Sequence, residues 1–269
     1  MEVISISNQK GGVGKSTTVN ALGAGLHHRG YRVLYIDLDA QGNLTYSMGA
    51  TGKPLSSLEV LTGTATAKEA TVTTPQGDLI PASPALGSAD ALITETGKEY
   101  RLREALEPIM GEYDFIILDT PPALGILTVN ALTASTRVIV PVQPDIYSLQ
   151  GIGLLSQTVE TVKKYCNHDL TIMGILATRY KGRATLTKDM TEMLEEVAGK
   201  LHTKLFSTKI RETVVLPEAQ ASQTDIFTYQ KRGNAVEDYS SFIEEVLGDI
   251  SNQNTVHEKQ GTTPSQKER

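Results

Sequence analysis

Two lysines and three aspartates set the chemistry open to this chain. Lys10 and Lys15 sit in a glycine-rich run, Gln9-Lys10-Gly11-Gly12-Val13-Gly14-Lys15-Ser16-Thr17. Asp37 and Asp39 belong to Asp37-Leu38-Asp39-Ala40-Gln41-Gly42-Asn43, and Asp119 ends the run Phe115-Ile116-Ile117-Leu118-Asp119 before Thr120-Pro121-Pro122. Glycines let backbone N–H groups approach phosphate oxygens; Lys15 is spaced to reach β- and γ-phosphates, and the Ser16 hydroxyl to ligate Mg²⁺. A carboxylate at position 119 suits the hard-cation shell of a phosphate site. The loop departs from G-x-x-x-x-G-K-[ST] at one place. Gln9 stands where glycine is expected, and Lys10 is an extra lysine inside the loop.

Those residues need strands behind them and a helix in front. The apolar run Val3-Ile4-Ser5-Ile6 reads as a strand entering the loop, and Val19, Leu22 and Leu26 mark one face of the helix leaving it. Val33-Leu34-Tyr35-Ile36 reads as a buried parallel strand that delivers Asp37 and Asp39 to its carboxyl end, where α/β folds bind ligands. A turn-forming role is the plain alternative for a lone Asp. Val138-Ile139-Val140 predicts a further strand ending at Pro141 and Pro144, and residues 172–177 another, ending at Thr178-Arg179-Tyr180-Lys181-Gly182-Arg183. Residues 49–77 predict an irregular connection with short helices, Leu79-Ile80 a short strand, and Lys204, Lys209 and Arg211 surround one more. Alternating strands and helices give an α/β chain with a single doubly wound, mostly parallel sheet and helices on both faces. The domain is expected over 1–250; from Ser251 to Arg269 the chain is polar and expected to be disordered.

Composition closes several classes. With one cysteine, Cys166, there is no multi-cysteine metal or Fe–S site within one chain. The N-terminal residues lack a basic region followed by an apolar core, and no run approaches the length of a membrane span, so a cytoplasmic setting is expected. Net charge is −6 overall, but residues 161–235 hold 12 basic and 8 acidic side chains. That local excess is either a solvated surface or a footprint for a polyanion.

The motifs together resemble the ParA/Soj branch of the ParA/MinD ATPases. The loop from Lys10 to Thr17 is similar to their deviant Walker A box, residues 37–43 to their second box, and residues 115–122 to their Walker B. Val140-Pro141-Val142-Gln143-Pro144 and Glu218-Ala219 with the later Ile226 also match. The resemblance implies ATP and Mg²⁺ as cofactors. It implies phosphate binding by Lys15 and the amides of Gly11, Gly12, Val13, Gly14, Ser16 and Thr17, with Ser16 on Mg²⁺ and Asp37 and Asp119 acting through water. Asp39 would orient the attacking water, and Lys10 would reach across an ATP-dependent homodimer to the other subunit's nucleotide. Pro144, Thr178 and Arg179 would lie near the base, with Arg179 equally readable as a surface ion-pairing residue.

Implied partners are non-specific double-stranded DNA, in a nucleoid-associated location, and a ParB-type centromere-binding protein. Lys181, Arg183, Lys209, Arg211, Lys231 and Arg232 are the DNA candidates; Val215 stands where the family carries an arginine. The alternatives are a MinD-like membrane-cycling ATPase or ParA-like positioning of another cargo. A membrane cycle would want a basic amphipathic final helix, whereas Glu237, Asp238, Glu244, Glu245 and Asp249 make this one acidic.

Overall fold

The computed structural model describes residues 1–145, 148–182 and 185–260, with backbone alone at 150, 185–188 and 253–260. Seven strands form one sheet among the described residues: β1 (Glu2–Ile6), β2 (Val33–Asp37), β3 (Val72–Thr74), β4 (Gly77–Ile80), β5 (Phe115–Asp119), β6 (Arg137–Val142) and β7 (Thr171–Ala177). Their order is β3-β4-β2-β5-β1-β6-β7, parallel throughout except for β3 against β4. The central strands are buried on both faces, which is why they read as unbroken apolar runs rather than alternating ones.

The helices are α1 (Lys15–His27), α2 (Asn43–Ser47), α3 (Ser57–Thr62), α4 (Ala67–Ala70), α5 (Ala89–Leu92), α6 (Arg101–Leu106), α7 (Ile126–Ala134), α8 (Ser148–Tyr165), α9 (Thr185–Lys200), α10 (Val215–Ala221), α11 (Ile226–Tyr229) and α12 (Asn234–Gln260). One face of the sheet offers Ile4, Ile6, Tyr35, Ile117 and Ile139 to Leu22 and Leu26 of α1 and Phe242, Ile243 and Val246 of α12. The other offers Val3, Leu34, Ile36, Ile116 and Leu118 to α3, α6 and α7. Val138, Val140 and Ile175 carry α8 and α9 on a third apolar cluster. The period-two alternation along each strand divides the core. Helix α1 lies close to the sheet because Gly23 has no side chain: a Cβ there would fall 2.2 Å from the Tyr35 ring.

The structure departs from the sequence expectations in four places. Strand β3 pairs with β4 inside the segment expected to be irregular. No strand forms between Lys204 and Arg211; Leu205 and Arg211 make single bridges to Ile175 and Tyr180. Strand β6 runs through Pro141 to Val142. The missing Pro141 N–H costs nothing there, because β1 pairs β6 only as far as Ile6 against Ile139. Finally, the segment expected to be disordered from Ser251 is helical to Gln260. A helix already docked through Tyr239, Phe242, Ile243 and Val246 is nucleated, so adding polar residues to its end needs no new nucleus. Residues 261–269 lie outside the described residues.

Candidate nucleotide site

The strand order reverses at β1, and the carboxyl ends of β1, β2 and β5 converge beside the glycine-rich loop. Gly12 and Gly14 take positive φ, 75° and 86°, where a side chain would be strained. Gly14 caps α1, so the first amides of that helix have no intrahelical acceptor and, with the helix dipole, favour an anion. Lys15 is buried, and its Nζ lies 3.3 Å from the Lys10 carbonyl oxygen. Burial lowers its pKa, with Asp119 and Asp39 opposing.

Asp37 and Asp119 are register partners across β2 and β5, so two carboxylates sit side by side in the interior. Asp37 is partly satisfied. Thr45 donates both its amide and its hydroxyl, at 2.9 and 2.7 Å, and the Asp39 amide donates at 3.1 Å. Burial still raises its pKa to about 6. Asp119 is harsher: fully buried, with no hydrogen bond of ordinary geometry to either oxygen among the described residues. Burial and then Asp37 push its pKa well up, against the Ser16 hydroxyl and the Lys15 charge. An orphaned buried carboxylate facing a serine hydroxyl fits a hydrated cation. Among the described residues no three acidic, His or Cys side chains converge to hold a metal ion by themselves. The set therefore suits a cation held by a hydroxyl, water and phosphate oxygens.

Asp39 is half-exposed on the wall of a cleft of about 580 Å³, with Lys15, Ser16, Thr17, Gln41 and Pro122. Its carboxylate also accepts from the Gln41 amide at 3.0 Å, so its turn-forming role is real as well. A second cleft, again about 580 Å³, is lined by Gly12, Gly14, Thr17, Thr178, Arg179 and the 210–217 segment. The two clefts share Gly12, Gly14, Thr17 and Gln220.

Not every expected residue arrives. Pro144 lines neither cleft. Thr178 is buried and spends its hydroxyl on the Val13 carbonyl at 2.8 Å, which pins the glycine-rich loop to the end of β7. Arg179, at φ 49°, and Lys181 share the Glu212 carboxylate, each at 3.0 Å. Arg211 is committed to Asp238 at 2.6 Å, with Glu237 beside it, so its guanidinium anchors α12. Lys209 lies over the Tyr180 ring. Lys231 and Arg232 are exposed and without an ion pair among the described residues, while Arg183 lies outside them.

Lys10 does not enter either cleft. Its ammonium pairs with Asp145, and its amide donates to Asn8, whose own side chain holds the Pro141 carbonyl at 2.7 Å. Asp145 is absent from the sequence expectations, although an acid at a strand's carboxyl end was the signal that marked Asp37. Gln220, which donates to the Thr17 hydroxyl at 3.0 Å, carried no signal at all.

A family model described as an AAA domain matches residues 1–172. The sporulation initiation inhibitor protein Soj of Bacillus subtilis is 39% identical over 250 residues, covering 91% of this chain and 98% of Soj. The chain belongs to the ParA/Soj family. The chromosome partitioning protein ParA of Myxococcus xanthus, 36% identical, covers 91% of this ParA/Soj chain and 87% of its own length. Among solved structures, cobyrinic acid a,c-diamide synthase from Mycobacterium smegmatis, with bound ADP and magnesium, superimposes with a TM-score of 0.80. It is 35% identical, covering 92% of this chain and 94% of that one. The fold is accordingly that of the ParA/MinD-type P-loop ATPases.

Proposed function

We propose that this chain is a Mg²⁺-dependent ATPase that acts as an ATP-induced sandwich dimer, segregating a plasmid or chromosome. In this reading the dimer binds double-stranded DNA without sequence preference, and a ParB-type partner stimulates its hydrolysis. The supporting observation is the division of labour between the two loop lysines. Lys15 lies buried in the cleft beside Asp119, whereas Lys10 rests on Asp145 outside it. A cleft with a single lysine is under-supplied with positive charge for phosphoryl transfer, and a second subunit can supply Lys10.

Lys15 and the amides from Gly11 to Thr17 hold the phosphates. Ser16 would hold Mg²⁺ directly, with Asp37 and Asp119 reached through water. Bound there, the ion would supply neutralisation of the phosphate charge. Asp39, on the cleft wall, orients the attacking water, and the half-exposed Arg179 rims the base side. Lys231 and Arg232 bind DNA phosphates in place of Arg211. The location is cytoplasmic and nucleoid-associated.

Turnover measured with ATP alone, and again with DNA and the partner protein, tests the reading. Stimulation accompanied by an ATP-dependent dimer in sedimentation is expected. Unchanged turnover with no dimer sinks it, and ATP-dependent co-sedimentation with anionic liposomes favours the membrane cycle instead.

A further inference from the structure

From the Gln220 side chain we infer a positioning residue for the nucleotide's phosphates; the inference rests on the ATP reading above. Helix α10 crosses the cleft so that Gln220 borders both its base side and its phosphate side. Gln220 Nε2 donates to Thr17 Oγ1 at 3.0 Å. A hydroxyl has one proton and two lone pairs. With one lone pair occupied by the Gln220 N–H, Thr17 keeps its proton for an acceptor, and the acceptors brought into this cleft are phosphate oxygens.

The bond is held from behind. Three residues on, the Gln223 carbonyl accepts from Gln76 Nε2 at 3.3 Å, and Gln76 Oε1 accepts from Asn20 of α1 at 2.7 Å. Helix α1 thus holds α10 directly through Thr17, and the turn that follows α10 by way of Asn20 and Gln76. The Asn20–Gln76 bond is buried, and it restrains the end of α10 and so where Gln220 stands relative to the loop. Thr17 and Gln220 form a two-step donor chain, amide to hydroxyl to phosphate, whose direction matches the anion.

A double-mutant cycle on ATP affinity tests this, read with a fluorescent ATP analogue and Mg²⁺. Gln220→Met removes the donor while keeping length, and should weaken binding by about threefold to tenfold, the worth of one neutral hydrogen bond. In a Thr17→Val background the same change should have no effect. Gln220→Glu, which can only accept, turns the Thr17 proton away from the phosphate and should weaken binding more than Gln220→Met. Thermal melts of nucleotide-free protein check that each variant folds. Equal loss in both backgrounds, or no loss in either while the wild type binds ATP, overturns the inference. A folded wild type that does not bind the analogue overturns the ATP reading and this inference with it.

Discussion

The two ends of the same sheet are built on opposite electrostatic plans. At the amino ends of the strands every named charge is answered. Glu2 accepts from Arg137 Nε at 2.9 Å and from the Thr136 hydroxyl at 2.7 Å, with Arg137 and Glu2 largely covered. Asp114 takes the Arg32 amide and both sides of its guanidinium, and these bonds pull its pKa down to about 2. At the carboxyl ends Asp37 and Asp119 lie side by side, Asp119 and the Ser7 hydroxyl lack a hydrogen bond of ordinary geometry among the described residues, and Lys15 is held in a burial that disfavours its charge. Unsatisfied buried charge is costly, so a sheet that closes one end and leaves the other open marks where a ligand completes it.

Five experiments probe that contrast, beginning with the largest effect. Lys10→Ala should cut partner-stimulated hydrolysis by about 10³-fold, as loss of a charge-neutralising finger does. Monomeric ATP binding should stay within about threefold, because Lys10 lies outside the cleft. A variant that still dimerises and turns over normally ends the trans-lysine reading.

At the closed end, Arg137→Met should destabilise the fold by about 2 kcal/mol, since it leaves the largely covered Glu2 with the Thr136 hydroxyl in place of its countercharge. Urea denaturation reads this directly; a loss below about 0.5 kcal/mol would show that the amino end is not compensated as its geometry says.

The open end should respond in the reverse sense. Asp119→Asn should stabilise the nucleotide-free protein at pH 7 by about 2 kcal/mol, or roughly 4–8 °C in Tm, while weakening Mg²⁺-dependent ATP binding. The pH profile carries the same sign. Asp37 has a folded pKa near 6, above its unfolded value, so its ionisation penalty is full above pH 6 and is relieved as pH falls toward 4. Asp114 is shifted the other way: its contribution holds above pH 4 and is lost as pH falls toward 2. Stability of the nucleotide-free protein should therefore rise from pH 7 to about pH 4.5 and then fall, and Asp37→Asn should reduce the upper limb, leaving the share that Asp119 carries, without changing the lower one. Melts at a series of pH values decide it; an upper limb unchanged by Asp37→Asn would place the penalty elsewhere.

The smallest effect concerns the surface. Replacing Lys231 and Arg232 together by Ala should reduce the salt slope of ATP-dependent DNA binding by about 1 for every phosphate no longer neutralised. Arg211→Ala should act on stability through α12 instead. If Arg211→Ala lowers the slope and the paired change does not, the assignment is reversed.

The glycine-rich loop, the three acids and the central strands were legible because each is local: backbone spacing and an unbroken apolar run stand in the sequence itself. The base side was less legible. Thr178 and Arg211 have the right types in the right order, yet folding commits one to the Val13 carbonyl and the other to Asp238. A count of basic residues sees charge but not its partners, so the excess in residues 161–235 overstated the free surface. Asp145, Gln220 and Gln76 reach residues as far as 135, 203 and 147 positions away.

Sequence alone thus determined that a nucleotide's phosphates have a loop to sit in and that the loop carries a second lysine. Which way that lysine faces, and that Asp119 lies beside Asp37 in the interior, follow from the three-dimensional packing and not from local sequence. The pairing of β2 with β5 and the Gln220–Thr17 bond between α10 and α1 bring together groups far apart in the chain, and it is burial that gives those juxtapositions their energy.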